Sequence, residues 1–252
     1  MATPIHPLSS LARSRLESVS VATLTTQLFR RGFRTRCING VGPLRKRSRL
    51  VGQARTLRYI PAREDIDTLD TLGDRRNAQR ALVEGAEPGE VIVIDALRDT
   101  RAGSLGSILA LRLQQRGAAG IVTDGAFRDS PAIAELHIPT YAAAANANTN
   151  LTIYHPADVD VPIGCGGVMV VPGDTVVGDG EGVVVIPRAL TEEIALSAYR
   201  QEVRERFITE LVGDGASVFD VYPLRAAAEE RYREWLRARD PDPLWGEGEP
   251  SG

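Results

Sequence analysis

Val91-Ile92-Val93-Ile94-Asp95 is an unbroken β-branched run that ends on an acid; a loop to Gly103 and a helical stretch over about 105–115 follow it. A second run, Gly120-Ile121-Val122-Thr123-Asp124, comes directly after. Strands that are apolar on both faces are buried on both faces. Gly117 stands where the intervening helix must stop, a place that favours a left-handed residue. The second run leads into the turn Gly125-Ala126-Phe127-Arg128-Asp129 and a short helix opened by Ser130-Pro131, read as a serine cap with proline in the first turn. Residues 138–142 resume as a strand. Strand, helix, strand, helix, strand means parallel strands joined by helical crossovers, an α/β fold.

The pattern changes on either side. Residues 11–31 read as a helix, with Val19, Leu24 and Leu28 recurring and Gly32 at its end, and 49–59 alternates like a strand. Residues 161–187 carry seven glycines between short β-branched runs at 168–171, 175–177 and 183–186. This segment is expected to form an antiparallel meander packed beside the parallel layer. A long helix over about 191–212, a break at Gly213-Asp214-Gly215 and a last helix at 224–239 complete the reading. The Pro-, Gly- and acid-rich ends, 1–10 and 240–252, are expected to be mobile, leaving one domain over 11–223.

Composition narrows the chemistry. The 252 residues are 43% hydrophobic and 25% charged, which suits one globular domain and excludes a disordered or collagenous chain. A net charge of −3 provides no global field for nucleic acid or an acidic membrane. With no long apolar span and no basic leader, the chain reads as soluble and cytoplasmic. Cys37 and Cys165 are too few for a disulfide framework or a four-thiolate zinc site. Lys46, the single lysine, lies in the solvated run Arg45-Lys46-Arg47-Ser48-Arg49, which argues against Schiff-base chemistry, since that needs a desolvated lysine. His6, His137 and His155 are scattered. Any metal would therefore be held by carboxylates and water, which favours Mg²⁺ or Mn²⁺ over zinc.

Ligands of parallel α/β units collect at the carboxyl ends of strands, where helix N-termini present free N–H groups. Two such places are close in sequence. In Leu105-Gly106-Ser107-Ile108-Leu109, Gly106 lets backbone amides approach a small carboxylate; the plain alternative is a tight connection using glycine for packing. At Arg128-Asp129 a guanidinium could grip a carboxylate while the acid holds a divalent ion. The alternatives there are Asp129 as a helix cap, Asp124 as a turn residue and Arg128 as a surface group. His137 reads as a packing residue, Cys165 as a small buried side chain, and the Arg-rich stretch 30–58 as a solvated face without aromatics for base stacking. Glu202, Glu205 and Glu210 read as a solvated helix face.

Taken together, Gly106-Ser107-Ile108-Leu109-Ala110, Arg116-Gly117-Ala118-Ala119-Gly120-Ile121-Val122-Thr123-Asp124-Gly125 and Arg128-Asp129 resemble the family that unites 4-hydroxy-4-methyl-2-oxoglutarate aldolases with the regulator of ribonuclease activity A. Gly40-Val41-Gly42-Pro43-Leu44, the glycine-rich stretch from Gly166-Gly167-Val168 to Ile186-Pro187, and residues 217–223 extend the likeness over 15–223. The resemblance implies a swivelling β/β/α layered domain with helices at both ends, assembled as a homotrimer or a dimer of trimers with active sites between subunits. It implies divalent-metal-dependent retro-aldol cleavage of a 4-hydroxy-2-oxo acid to pyruvate, with oxaloacetate decarboxylation as a companion activity. It also implies roles: Asp129 as the metal ligand, Arg128 as the substrate-carboxylate and charge-stabilising group, and the backbone at Gly106, Ser107, Ile108 and Leu109 as the seat of the pyruvyl carboxylate. Glu205, or Glu202 or Glu210 by a shift of register, is the acid offered by a neighbouring subunit. The family's aldolases carry an aspartate where this chain has Ser107; Asp95 or Asp99 could compensate through water. The ribonuclease regulators generally lack an acid at the position of Asp129, so Arg128-Asp129 favours the enzyme. The alternatives are a non-catalytic regulator that binds protein partners and a lyase acting on a sugar-acid-derived keto acid.

Overall fold

A computed structural model describes residues 8–238. The expectations of mobile ends over 1–7 and 239–252 lie outside the described residues. The strands are β1 Cys37–Ile38, β2 Gly42–Pro43, β3 Leu50–Pro61, β4 Glu90–Asp95, β5 Gly103–Leu105, β6 Gly120–Phe127, β7 Thr140–Ala145, β8 Tyr154–Val159, β9 Ile163–Cys165, β10 Val168–Val170, β11 Thr175–Asp179 and β12 Gly182–Ile186. The helices are α1 Ser10–Ser18, α2 Val21–Arg30, α3 Ala78–Glu84, α4 Ser107–Gln115, α5 Ser130–Ala134, α6 Thr191–Gly213, α7 Val218–Val221 and α8 Ala226–Arg237.

The β-branched runs form the parallel centre, β3-β4-β6-β7, with α4 and α5 as crossovers. Along β4 the side chains alternate between two cores. Val91 and Val93 pack with Ile163, Cys165, Val168 and Val170 of the β9–β10 hairpin. Ile92 and Ile94 pack with Leu82, Leu113 and Ile133 from α3, α4 and α5. Full burial of each such side chain contributes about 1.5–3 kcal/mol, so both faces of the strand hold the layers together. The mixed α/β domain is therefore a hairpin layer, a sheet and a helical layer, with helices at both ends of the chain.

The glycine-rich segment differs from the expectation of a separate meander. β11 and β12 continue the parallel sheet, because the twelve-residue β3 pairs antiparallel with β11 and parallel with β4. The β9–β10 hairpin supplies the second β layer. The helix read over 11–31 is two helices. Ser20 breaks it, capping α2 by accepting the N–H of Thr23 at 3.1 Å, while Gly32 ends α2 at φ +87° as its position predicts. Ser130 is the first residue of α5 rather than its cap; Asp129 holds that position. His137 is exposed, not packed. The arginines of 30–58 do not form a plain solvated face: Arg31, Arg36, Arg49 and Arg55 are half-buried and paired with Glu193, Asp174, Asp179 and Glu90. Among the described residues no helix is long and apolar enough to cross a membrane.

α6 clamps the N-terminal helices through one carboxylate. Glu202 Oε1 accepts from Ser20 N at 2.9 Å and from the hydroxyls of Ser20 and Thr23, each at 2.7 Å. Burial pushes the Glu202 carboxyl up, but these donors outweigh it and leave it lowered from its ordinary 4.5. Glu202→Ala strands three donors and is expected to cost about 1–3 kcal/mol in urea unfolding. A carboxylate lowered in the folded state contributes stability above its unfolded pKa and loses it as pH falls through the folded one. The wild-type advantage over the variant should thus be complete above pH 4.5 and decline below it.

Candidate functional site

Asp124, inside β6, is consumed by the fold. It is buried and accepts from Ala96 N at 2.8 Å and Gly166 N at 2.9 Å, tying the parallel layer to the β9–β10 turn. Burial raises its pKa, and the two N–H donors oppose the rise. Cys165 is fully buried, as its small side chain suggested; burial pushes its thiol well up, away from the thiolate a nucleophile needs.

Arg128 and Asp129 stand apart from that latch. β5 runs so close to the end of β6 that a Cβ on Gly103 would lie 2.5 Å from both the backbone nitrogen and the Cβ of Arg128. The same contact lets Arg128 N donate to Leu105 O at 2.9 Å. The chain then turns at Asp129, whose φ of 58° and ψ of 33° are left-handed, at a cost of about 1 kcal/mol for a residue with a side chain. Its side chain makes no capping bond to α5. Instead Oδ2 lies 3.3 Å from both the backbone nitrogen and the hydroxyl of Ser107, at the start of α4. A Cβ on Gly106 would sit 3.1 Å from that oxygen, so glycine leaves the carboxylate its room. Arg128 Nε is 3.7 Å from Asp129 Oδ1, and the two side chains are 50% and 44% exposed.

The two places read separately from the sequence are therefore one cleft of about 150 Å³, lined by Gly106, Ile108, Leu109, Arg128 and Asp129 among others. The first turn of α4 brings helix N–H groups to it. Among the described residues no three His, Cys, Asp or Glu side chains converge, so a closed protein cage for a metal is absent. One accessible carboxylate, which makes no capping bond to α5 and keeps Oδ1 outside its contact with Ser107, instead fits a hard ion that keeps its waters and completes its shell with substrate oxygens. Asp95 and Asp99, the two acids offered as compensation for Ser107, do not line the cleft directly. Asp95 accepts from Leu97 N and Gly164 N at 3.1 and 3.3 Å, and Asp99 grips Arg101.

The three glutamates of α6 separate. Glu202 is spent on α2, and Glu210 accepts from Trp235 Nε1 at 2.5 Å. Glu205 accepts from Gln201 Nε2 at 2.8 Å and does not line this chain's own cleft. The sequence reading missed Gln79, Arg80 and Asn150, which line the cleft from α3 and the segment before β8. Gln79 Nε2 donates to Tyr59 Oη at 2.6 Å and Ser104 O at 2.8 Å, fastening α3 beneath the site. No local motif marks these residues.

The family profile described as RraA-like, aldolase/RraA, matches residues 21–185. A Halalkalibacterium halodurans protein provisionally named a 4-hydroxy-4-methyl-2-oxoglutarate aldolase is 34% identical over 186 residues, covering 71% of this chain and 80% of its own. A Thermus thermophilus protein named 4-hydroxy-4-methyl-2-oxoglutarate aldolase is 31% identical over 141 residues, covering 56% and 77%. The crystal structure of Streptomyces coelicolor RraAS2, described as an unusual member of the RNase ES inhibitor RraA family, is 34% identical with a TM-score of 0.73, covering 81% of this chain and 98% of that one. With most of its length inside the family match, and the cleft residues at the positions that carry the likeness, the chain belongs to the RraA-like aldolase family.

Proposed function

We propose that the protein is a divalent-metal-dependent lyase that cleaves a 4-hydroxy-2-oxo acid of the 4-hydroxy-4-methyl-2-oxoglutarate type and releases pyruvate, with oxaloacetate decarboxylation as a companion activity. The observation that carries this reading is the Asp129 carboxylate: it leaves its capping position and turns to the amino end of α4, with Arg128 beside it. Asp129 would hold Mg²⁺ or Mn²⁺, which when bound supplies Lewis acidity to the 2-oxo group. The backbone N–H groups of the first turn of α4 receive the carboxylate next to that group. Loss of the proton from the C4 hydroxyl breaks the C3–C4 bond. The bonding pair moves onto the 2-oxo oxygen as an enolate, and C3 regains a proton to give pyruvate. Arg128 steadies the negative charge on that oxygen. Lys46 is exposed and does not line the cleft, so an iminium route has no amine. Glu205, offered by a neighbouring protomer of a trimer or a pair of trimers, is the proposed acid-base group. The Streptomyces relative favours a second reading, a regulator of ribonuclease that acts by binding protein.

Asp129→Asn should lower pyruvate release at least about 100-fold, the scale of losing one preorganised electrostatic group, in a lactate-dehydrogenase-coupled assay, with the melting temperature retained. Chelation with EDTA should stop the wild type, and excess Mg²⁺ should restore it. Full turnover by the variant would refute the Asp129 assignment, and no metal-dependent pyruvate release by the wild type would favour the regulator. Ser107→Asp places a second carboxylate beside Asp129 Oδ2. The like charges repel until a cation joins them, so the variant should melt lower without metal and require several-fold less Mg²⁺ for half-maximal thermal stabilisation.

A further inference from the structure

Arg80 lies in the first turn of α3, where Asn77 Oδ1 accepts its backbone N–H at 3.1 Å. Its half-buried side chain lines the same cleft as Arg128 and Asp129. The Nε–H is sealed from solvent and has no acceptor, and the guanidinium forms no ion pair among the described residues. Arg36, Arg49 and Arg55 also keep a buried, unbonded nitrogen, yet each has a carboxylate close by, Asp174 at 3.8 Å, Asp179 at 3.7 Å and Glu90 at 3.4 Å. Arg80 has no such relief. A desolvated donor without a partner is unfavourable, and it persists where a ligand completes it.

The charges point the same way. Among the residues lining the cleft Asp129 is the one acid, against Arg80 and Arg128. The cleft is thus cationic by one charge before any metal arrives, and a ligand with two carboxylates matches it better than one with a single carboxylate. Gln79 and its bonds to Tyr59 and Ser104 fix the backbone that carries Arg80, so the guanidinium is presented from a held helix turn rather than from a loop.

Resting on the retro-aldol reading, we propose that Arg80 binds the substrate carboxylate remote from the 2-oxo group and so selects 2-oxo dicarboxylates over 2-oxo monocarboxylates. The planar fork of a guanidinium matches a carboxylate with two parallel N–H bonds, and a bound carboxylate gives Arg80 the counter-charge that no side chain supplies.

Calorimetric binding of 2-oxoglutarate and 2-oxopentanoate, equal in chain length and differing in the remote carboxylate, tests this in the presence of Mg²⁺. The wild type is expected to prefer 2-oxoglutarate about 10- to 100-fold, the scale of a charge-assisted bidentate pair. Arg80→Gln should bring the ratio near one. Arg80→Lys, which keeps a charge without the fork, should give an intermediate ratio and serves if the glutamine variant fails to fold. A wild-type ratio near one, no binding of 2-oxoglutarate at millimolar concentration, or a preference that survives both substitutions would overturn the assignment. Binding requires no bond cleavage. A preference that depends on Arg80 without any pyruvate release would therefore sink the retro-aldol reading alone, whereas pyruvate release without the preference would sink the Arg80 assignment alone.

Discussion

The approach of β5 to the end of β6 sets everything around the cleft. A methyl group at Gly103 would collide with both the backbone and the side chain of Arg128, so the two strand ends meet only because position 103 has no Cβ. From that contact follow the Arg128 N to Leu105 O bond, the start of α4 at Ser107 and the nearness of Asp129 to it. Interiors are close-packed and do not deform smoothly, so the relation between strand ends is fixed by the sheet, and the left-handed turn at Asp129 is held by its surroundings rather than by its own preference.

Two buried polar ties support this arrangement from below. Asp124, from within β6, joins the end of β4 to the β9–β10 turn. Tyr59 Oη donates to Ser104 O at 2.7 Å, and Gln79 donates to both, linking β3, β5 and α3. Each tie satisfies groups that would be costly if left alone in the interior, and the second, through Gln79, reaches the cleft itself. The groups proposed to carry the chemistry therefore remain exposed above a floor whose polar atoms are already engaged.

The centre of the fold was legible because burial on both faces leaves a pattern that survives in one dimension: Val91–Ile94 and Gly120–Thr123 admit few other readings. The Arg128-Asp129 pair and Gly106 were legible for a related reason, since strand ends followed by helices are where ligands gather. Pairings made across the chain were not. The join of β11 to β3 depends on the length of β3, and no residue in 161–187 announces it. The break at Ser20 was hidden by the apolar spacing on both sides of it, and the clamp that uses it comes from Glu202, 182 positions away. Arg80 and Asn150 reach the cleft from segments without glycine turns or acids, so sequence alone marked neither. Asp129 as a cap was a fair reading of its position, and only its φ, ψ and the bond to Ser107 showed where the carboxylate goes.

The left-handed corner at 129 sets two demands against each other. Glycine enters that region of backbone space without steric cost, and stability alone would be content with it there. Glycine carries no carboxylate. A lineage without the proposed reaction would have no reason to keep an acid at this bend, whereas one that carries it out must go on tolerating the awkward backbone that presents it.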